Sequence, residues 1–169
     1  VEEYLAVAKS LSYSNYELVL VDNSETDDYY DFLDAKGITV LKAPFYAETA
    51  RERIVISRNM LRQYALDNEF HYFLSLEQDV IPPKDIIERL LQHKKPVVTG
   101  VYYVEYTLQK EGQEAGKMIM PLLYRRQDQE SYIQLNERDV AFDNLLLVDA
   151  AGLGCMLMRR DILAKIPFR

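Results

Sequence analysis

This 169-residue chain has one cysteine, two histidines and six glycines, and those scarcities close off several chemistries. The lone thiol, Cys155, excludes a disulfide framework and a cysteine-rich zinc site. It stands beside Leu153, Met156 and Leu157 and reads as a buried, reduced thiol. His71 and His93 lack metal-ligand spacing and read as structural. The sequence has no Gly-x-Ser-x-Gly elbow and no glycine loop ending in Lys-Ser or Lys-Thr, which disfavours serine-hydrolase and P-loop chemistry. Basic residues are the minority: 20 against 27 acidic, a formal net charge of −7. Such a chain does not wrap duplex DNA, whose phosphates need a basic surface, so no nucleic-acid partner is expected. No run approaches the ~18 apolar residues of a membrane helix. The most apolar stretch, 145–158, carries Asp149 and two glycines. No transmembrane or targeting segment is therefore expected.

What is present is ordinary for a folded domain, with 49% hydrophobic and 28% charged residues. A chain of this length buries roughly 70% of its unfolded surface, enough for a real core. We expect a single domain over 1–169, with the pattern of the chain changing between 1–104 and 105–169. The chain opens at Val1 inside a helical pattern and reads as a piece of a longer polypeptide. Its acidic, cysteine-poor composition suits the cytoplasm, with peripheral membrane association also open.

Periodicity predicts a helix over 2–11, with Leu5, Ala8 and Leu11 on one face. A short strand over 17–21 ends in the turn residues Asp22, Asn23 and Ser24. Ser24 or Thr26 can cap a second helix that closes at Gly37. A strand over 38–41 precedes a longer helix over 51–66. A third strand, 71–76, leads into Glu77, Gln78 and Asp79. Pro82 and Pro83 introduce a helix over 84–93, and 96–103 is a fourth strand. This alternation predicts an α/β layer with a parallel sheet. Beyond it, 105–116 reads as a polar surface loop. Strands are expected over 118–124, 131–135, 145–148 and 155–158, then a short helix near Arg160.

Glu77 and Asp79 are the sharpest chemical feature. Residues two apart on a strand face the same side, so both carboxylates are expected to project together at the strand's C-terminal end. In open α/β sheets ligands bind at that end. Paired carboxylates suit a hard cation, Mg²⁺ or Mn²⁺, completed by water and substrate phosphates. Asp22, at an earlier strand end, can accept hydrogen bonds from a base or ribose, or serve an Asx turn with Asn23. Arg51, Arg58 and Arg62 fall near one helix face. They can steer a pyrophosphate or form a solvated face paired with Glu48 and Glu52. Gly152 and Gly154 permit close backbone approach to a ligand or a plain turn. Asp149, before them, can bind an acceptor hydroxyl or cap the loop.

Taken in order, these stretches resemble the nucleotide-sugar-dependent glycosyltransferases of the GT-A fold, particularly family 2. The similarity lies in 17–24 with Asp22, in Ser57-Arg58-Asn59, in 73–79 with Glu77 and Asp79, and in 148–160 with Asp149, Gly152 and Gly154. A weaker match is 98–103. The resemblance implies a Rossmann-like α/β fold, a mostly parallel sheet flanked by helices, with a smaller antiparallel part in the C-terminal third. It implies a nucleoside diphosphate sugar as donor, a glycan, lipid or protein acceptor, and inversion at the anomeric carbon. Asp22, Asn23 and Arg58 would hold the nucleotide. Asp79 and Glu77 would hold Mn²⁺ or Mg²⁺, and Asp149, Gly152 and Gly154 would shape the acceptor side. Three departures stand out. Glu77 replaces the usual aspartate, the family's first strand would precede Val1, and its catalytic base would follow Arg169. The alternatives are a non-catalytic nucleotide-sugar or glycan-binding domain and a nucleotidyltransferase on a related scaffold.

Overall fold

A computed structural model describes residues 2–108, 116–141 and 145–169. Helix α1 (Glu2–Ala8) buries Tyr4, Leu5 and Ala8. Strand β1 (Val19–Asp22) leads through α2 (Asp28–Asp34) to β2 (Thr39–Lys42). The turn after α2 passes through Gly37 at φ +66, a left-handed conformation that favours glycine. Neither Ser24 nor Thr26 caps α2. Its cap is Asp27, whose side chain makes no capping bond. Helix α3 (Ala50–Asp67) starts with a reciprocal capping box between Thr49 and Glu52. Strand β3 (Tyr72–Leu76), helix α4 (Ile86–Leu91) and strand β4 (Val97–Thr99) follow.

The later chain is a set of short strands: β5 (Tyr103–Leu108), β6 (Gly116–Pro121), β7 (Leu123–Arg126) and β8 (Tyr132–Gln134). After α5 (Glu137–Val140) come β9 (Ala150–Ala151), β10 (Cys155–Arg159) and α6 (Arg160–Leu163). The expected loop over 105–116 is a strand up to Leu108. Glu105 and Thr107 are exposed while Val104 and Tyr106 are half-buried, the alternation of a pleated strand. The rest of that loop, 109–115 with Gly112, lies outside the described residues. The expected strand over 118–124 divides at Leu122, where β6 stops pairing with β5 and β7 starts pairing with β8 and β9. Residues 145–148 form no strand. Leu147 is 89% exposed, so this apolar run has no surface to pack against.

The mostly parallel sheet is not what forms. The described strands make four small sheets, and the two-stranded β1–β2 pair is their parallel one. The other three are antiparallel: β3–β10–β4, β5–β6 and β8–β7–β9. Two physical causes overturn the expectation. Strand β10 returns between β3 and β4 and takes the hydrogen bonds they would have exchanged. Strands β1 and β3 do not pair either. A cavity of about 460 Å³ separates them, lined by Val19 and Val21 on one side and by Phe73 and Ser75 on the other. Alternating helices and strands fix the direction in which strands run, not which strands become neighbours.

The core has three parts. Helix α4 packs Ile86, Ile87 and Leu90 against Val98, Cys155 and Leu157. Helices α1 and α2 meet β1 and β2 through Leu5, Leu33, Leu20 and Val40. Ala65 of α3 meets Met158 and Leu163. Among the described residues, no helix is long and apolar enough to cross a membrane.

Candidate functional site

Strand β1 delivers Asp22 into the interior, where it is 1% exposed. A carboxylate so placed needs internal partners. The Ser24 backbone N–H and hydroxyl both donate to its Oδ1, at 2.9 and 2.7 Å. Lys42 Nζ donates to Oδ2 at 2.8 Å, from the position that the β1–β2 register places opposite Asp22. Burial pushes the Asp22 carboxyl up, and the bonds from Lys42 and Ser24 more than offset this, so it lies below its ordinary value. Asp22 therefore makes an Asx-type turn closed on Ser24 and an ion pair with Lys42. Asn23 points elsewhere: its amide donates to Ser57 Oγ at 3.1 Å, tying the end of β1 to α3.

One residue further along α3, Arg58 donates to Glu77 just past the end of β3. This corrects the geometry expected for the acidic pair. The strand stops at Leu76, and the Val80 N–H bonds the Glu77 carbonyl at 3.0 Å, so Asp79 lies in a turn. Side-by-side projection from a strand thus does not apply. Arg58 holds Glu77, and among the described residues no hydrogen bond or ion pair engages the exposed Asp79 carboxylate.

The loop from Asp149 to Gly154 faces this corner. The Glu77 N–H donates to the Gly154 carbonyl at 3.0 Å. The Gly154 N–H donates to the Tyr102 hydroxyl at 3.1 Å. Burial first, and then the charges of Glu77 and Asp79, push the Tyr102 hydroxyl above its ordinary value, while the Gly154 N–H and Arg58 pull the other way. Tyr102 thus shares one electrostatic neighbourhood with both carboxylates and the guanidinium. The two glycines make room for it. A Cβ at Gly152 would lie 1.9 Å from the Tyr102 hydroxyl oxygen, and one at Gly154 would lie 2.7 Å from Cζ. Asp149 is set apart: its Oδ2 accepts the Arg126 N–H at 2.8 Å, and its own N–H donates to the Tyr124 carbonyl at 3.0 Å.

Of the expected basic face, Arg58 meets Glu77, Arg51 is exposed and Arg62 turns back onto the fold. Arg62 donates to the carbonyls of Leu163 and Ala164, and Arg53 to those of Ala47 and Glu48. Cys155 is buried and free, and burial raises its thiol. Among the described residues, no three His, Cys, Asp or Glu side chains gather closely enough to hold a metal by themselves. Of the two carboxylates expected to hold a cation, Asp79 is exposed and Glu77 is paired with Arg58.

Two residues of this corner escaped sequence reasoning, Lys42 and Tyr102. Lys42 carried no motif and becomes Asp22's partner through strand register. Tyr102 was one of 13 tyrosines, and its signal was the pair of glycines that accommodate it.

No family model matches the chain, and no curated protein does. Among solved structures the chain is similar to the crystal structure of A197 from STIV, at 18% identity and a TM-score of 0.42. The alignment covers 88% of this chain and 66% of that one. A likeness at this level carries no argument about fold or activity.

Proposed function

We propose that this chain is a metal-dependent glycosyltransferase domain, which moves a sugar from a nucleoside diphosphate to a glycan, lipid or protein acceptor. The observation that carries the reading is the meeting of two strand ends on one helix. Asn23 contacts Ser57 of α3, and the adjacent Arg58 contacts Glu77. A nucleotide lying across this corner would run from the end of β1, where Asp22 shapes the turn and Asn23 ties it to α3, towards Arg58 and Asp79. Arg58 would exchange its carboxylate for a phosphate, a geometry guanidinium favours. Mg²⁺ or Mn²⁺, held by Asp79 with Glu77, would neutralise charge building on the departing diphosphate. Asp149 serves the acceptor side by fixing the 149–154 loop through Arg126. The transfer would invert the anomeric carbon. The reading is compatible with a cytoplasmic setting.

One observation favours a second reading. Arg58 is ion-paired with Glu77, which leaves Asp79 alone to meet a cation and suits a domain that binds a nucleotide sugar or glycan and does not turn it over. A thermal-shift series with UDP, GDP and their sugars, with and without Mn²⁺, tests both readings. A nucleotide at 100 times its dissociation constant adds about 2.7 kcal/mol of stability. The proposal expects a metal-dependent shift with one nucleotide, abolished in Asp79→Asn. Absence of any shift in the folded protein would overturn it, and a nucleotide shift that needs no metal and persists in Asp79→Asn would select the second reading.

A further inference from the structure

The ring of Tyr102 occupies space that side chains at Gly152 and Gly154 would otherwise fill. Its hydroxyl oxygen accepts the Gly154 N–H, and that residue's carbonyl in turn accepts the Glu77 N–H. A hydroxyl is both donor and acceptor. Here the acceptor role is taken, and among the described residues nothing accepts the Tyr102 proton. Tyr102 is half-buried, and the Gly154 backbone links its hydroxyl to the Glu77 backbone, whose side chain holds Arg58. An anion held by a cation on Asp79 and by Arg58 would bring its oxygens to the same corner.

We propose that Tyr102 is a ligand-binding residue of this site, its O–H donating to an oxygen of a bound diphosphate while the Gly154 N–H holds the hydroxyl in place. The assignment rests on the nucleotide reading above. It also explains the two glycines, which let an aromatic hydroxyl reach the phosphate position from a backbone anchor. A selectivity follows from it. On this assignment a nucleoside diphosphate would extend to Tyr102, whereas a monophosphate would stop short of it.

Isothermal titration of the 169-residue chain with UDP, GDP, UMP and GMP in Mn²⁺ tests this. Tyr102→Phe keeps the ring and removes the donor. It should weaken binding of the preferred diphosphate about tenfold, the scale of a lost hydrogen bond to a charged group. Monophosphate affinity should stay at the wild-type value. Gly152→Ala, which forces the hydroxyl aside, should give the same selective loss. If Tyr102→Phe binds diphosphate as wild type does, or loses both classes equally, the assignment is overturned while the nucleotide reading survives. If the wild-type chain binds none of the four nucleotides, both fall.

Discussion

The two strand ends of this corner carry the same kind of side chain to opposite effect. Asp22, closing β1, is 1% exposed and bonded by Ser24 and Lys42. Glu77, just past β3, is 40% exposed and meets Arg58 alone among the side chains described. The buried carboxylate is committed to the fold, because losing its partners would strand a charge away from water. The half-exposed one can trade partners at little cost, because water stabilises it in the interval. Depth, more than residue type, separates the structural acid from the one free to meet a ligand.

The sharpest way to break this contrast is to remove the buried acid. Asp22→Ala should cost about 3 kcal/mol, measured by urea denaturation, through the lost charge-assisted bonds. Its pH dependence has a definite sign. The folded carboxyl lies below its unfolded value of about 3.9, so its contribution is present above that value and is lost as pH falls through the folded one. Asp22→Asn should flatten the acid limb of a stability profile. Unchanged acid sensitivity would show that Asp22 is not the group responsible.

The β3 end has an alkaline counterpart. The Tyr4 hydroxyl donates to the Leu76 carbonyl at 3.2 Å, and burial pushes its pKa up to about 12. Folding therefore favours the neutral phenol. Stability should fall between about pH 10 and 12, by up to roughly 2.7 kcal/mol for a shift of this size. Tyr4→Phe should remove that alkaline loss in a pH-jump denaturation series. Next in size, Gly152→Ala must displace Tyr102 and should cost about 2 kcal/mol in thermal unfolding, as overpacking does. The smallest effect belongs to the exposed pair. Arg58→Ala or Glu77→Gln should change stability by less than about 1 kcal/mol. In the same protein, Arg58→Ala should weaken nucleotide binding at least about tenfold by titration, the scale of a lost bond to a charged group. A large stability loss there would erase the distinction between the two strand ends.

Much of the local structure was legible in the sequence. The third helix was expected over 51–66 and forms over Ala50–Asp67, and the end of α2 was marked by Gly37. Such signals act within one helical turn, where the chain's own geometry decides the outcome. The candidate site was legible as a set of residues but not as an arrangement. Asp22 was singled out by its place at a strand end, and Arg58 by the family resemblance. Lys42 was not, because only the parallel pairing of β1 with β2 sets it opposite Asp22. Glu77 and Asp79 were found too, yet the turn closed by Val80 removed the strand geometry assumed for them.

By itself, the sequence determined that this is an acidic chain with one thiol, alternating helices and strands, and acidic residues at the strand ends. Those properties depend on composition and on contacts between near neighbours. The tertiary structure alone decided that β10 would separate β3 from β4, that a cavity would lie between β1 and β3, and that Tyr102 would settle over two glycines. Each outcome joins residues far apart in the chain. Which edges meet is set by packing and hydrogen-bond satisfaction across the whole fold, and no local pattern specifies it.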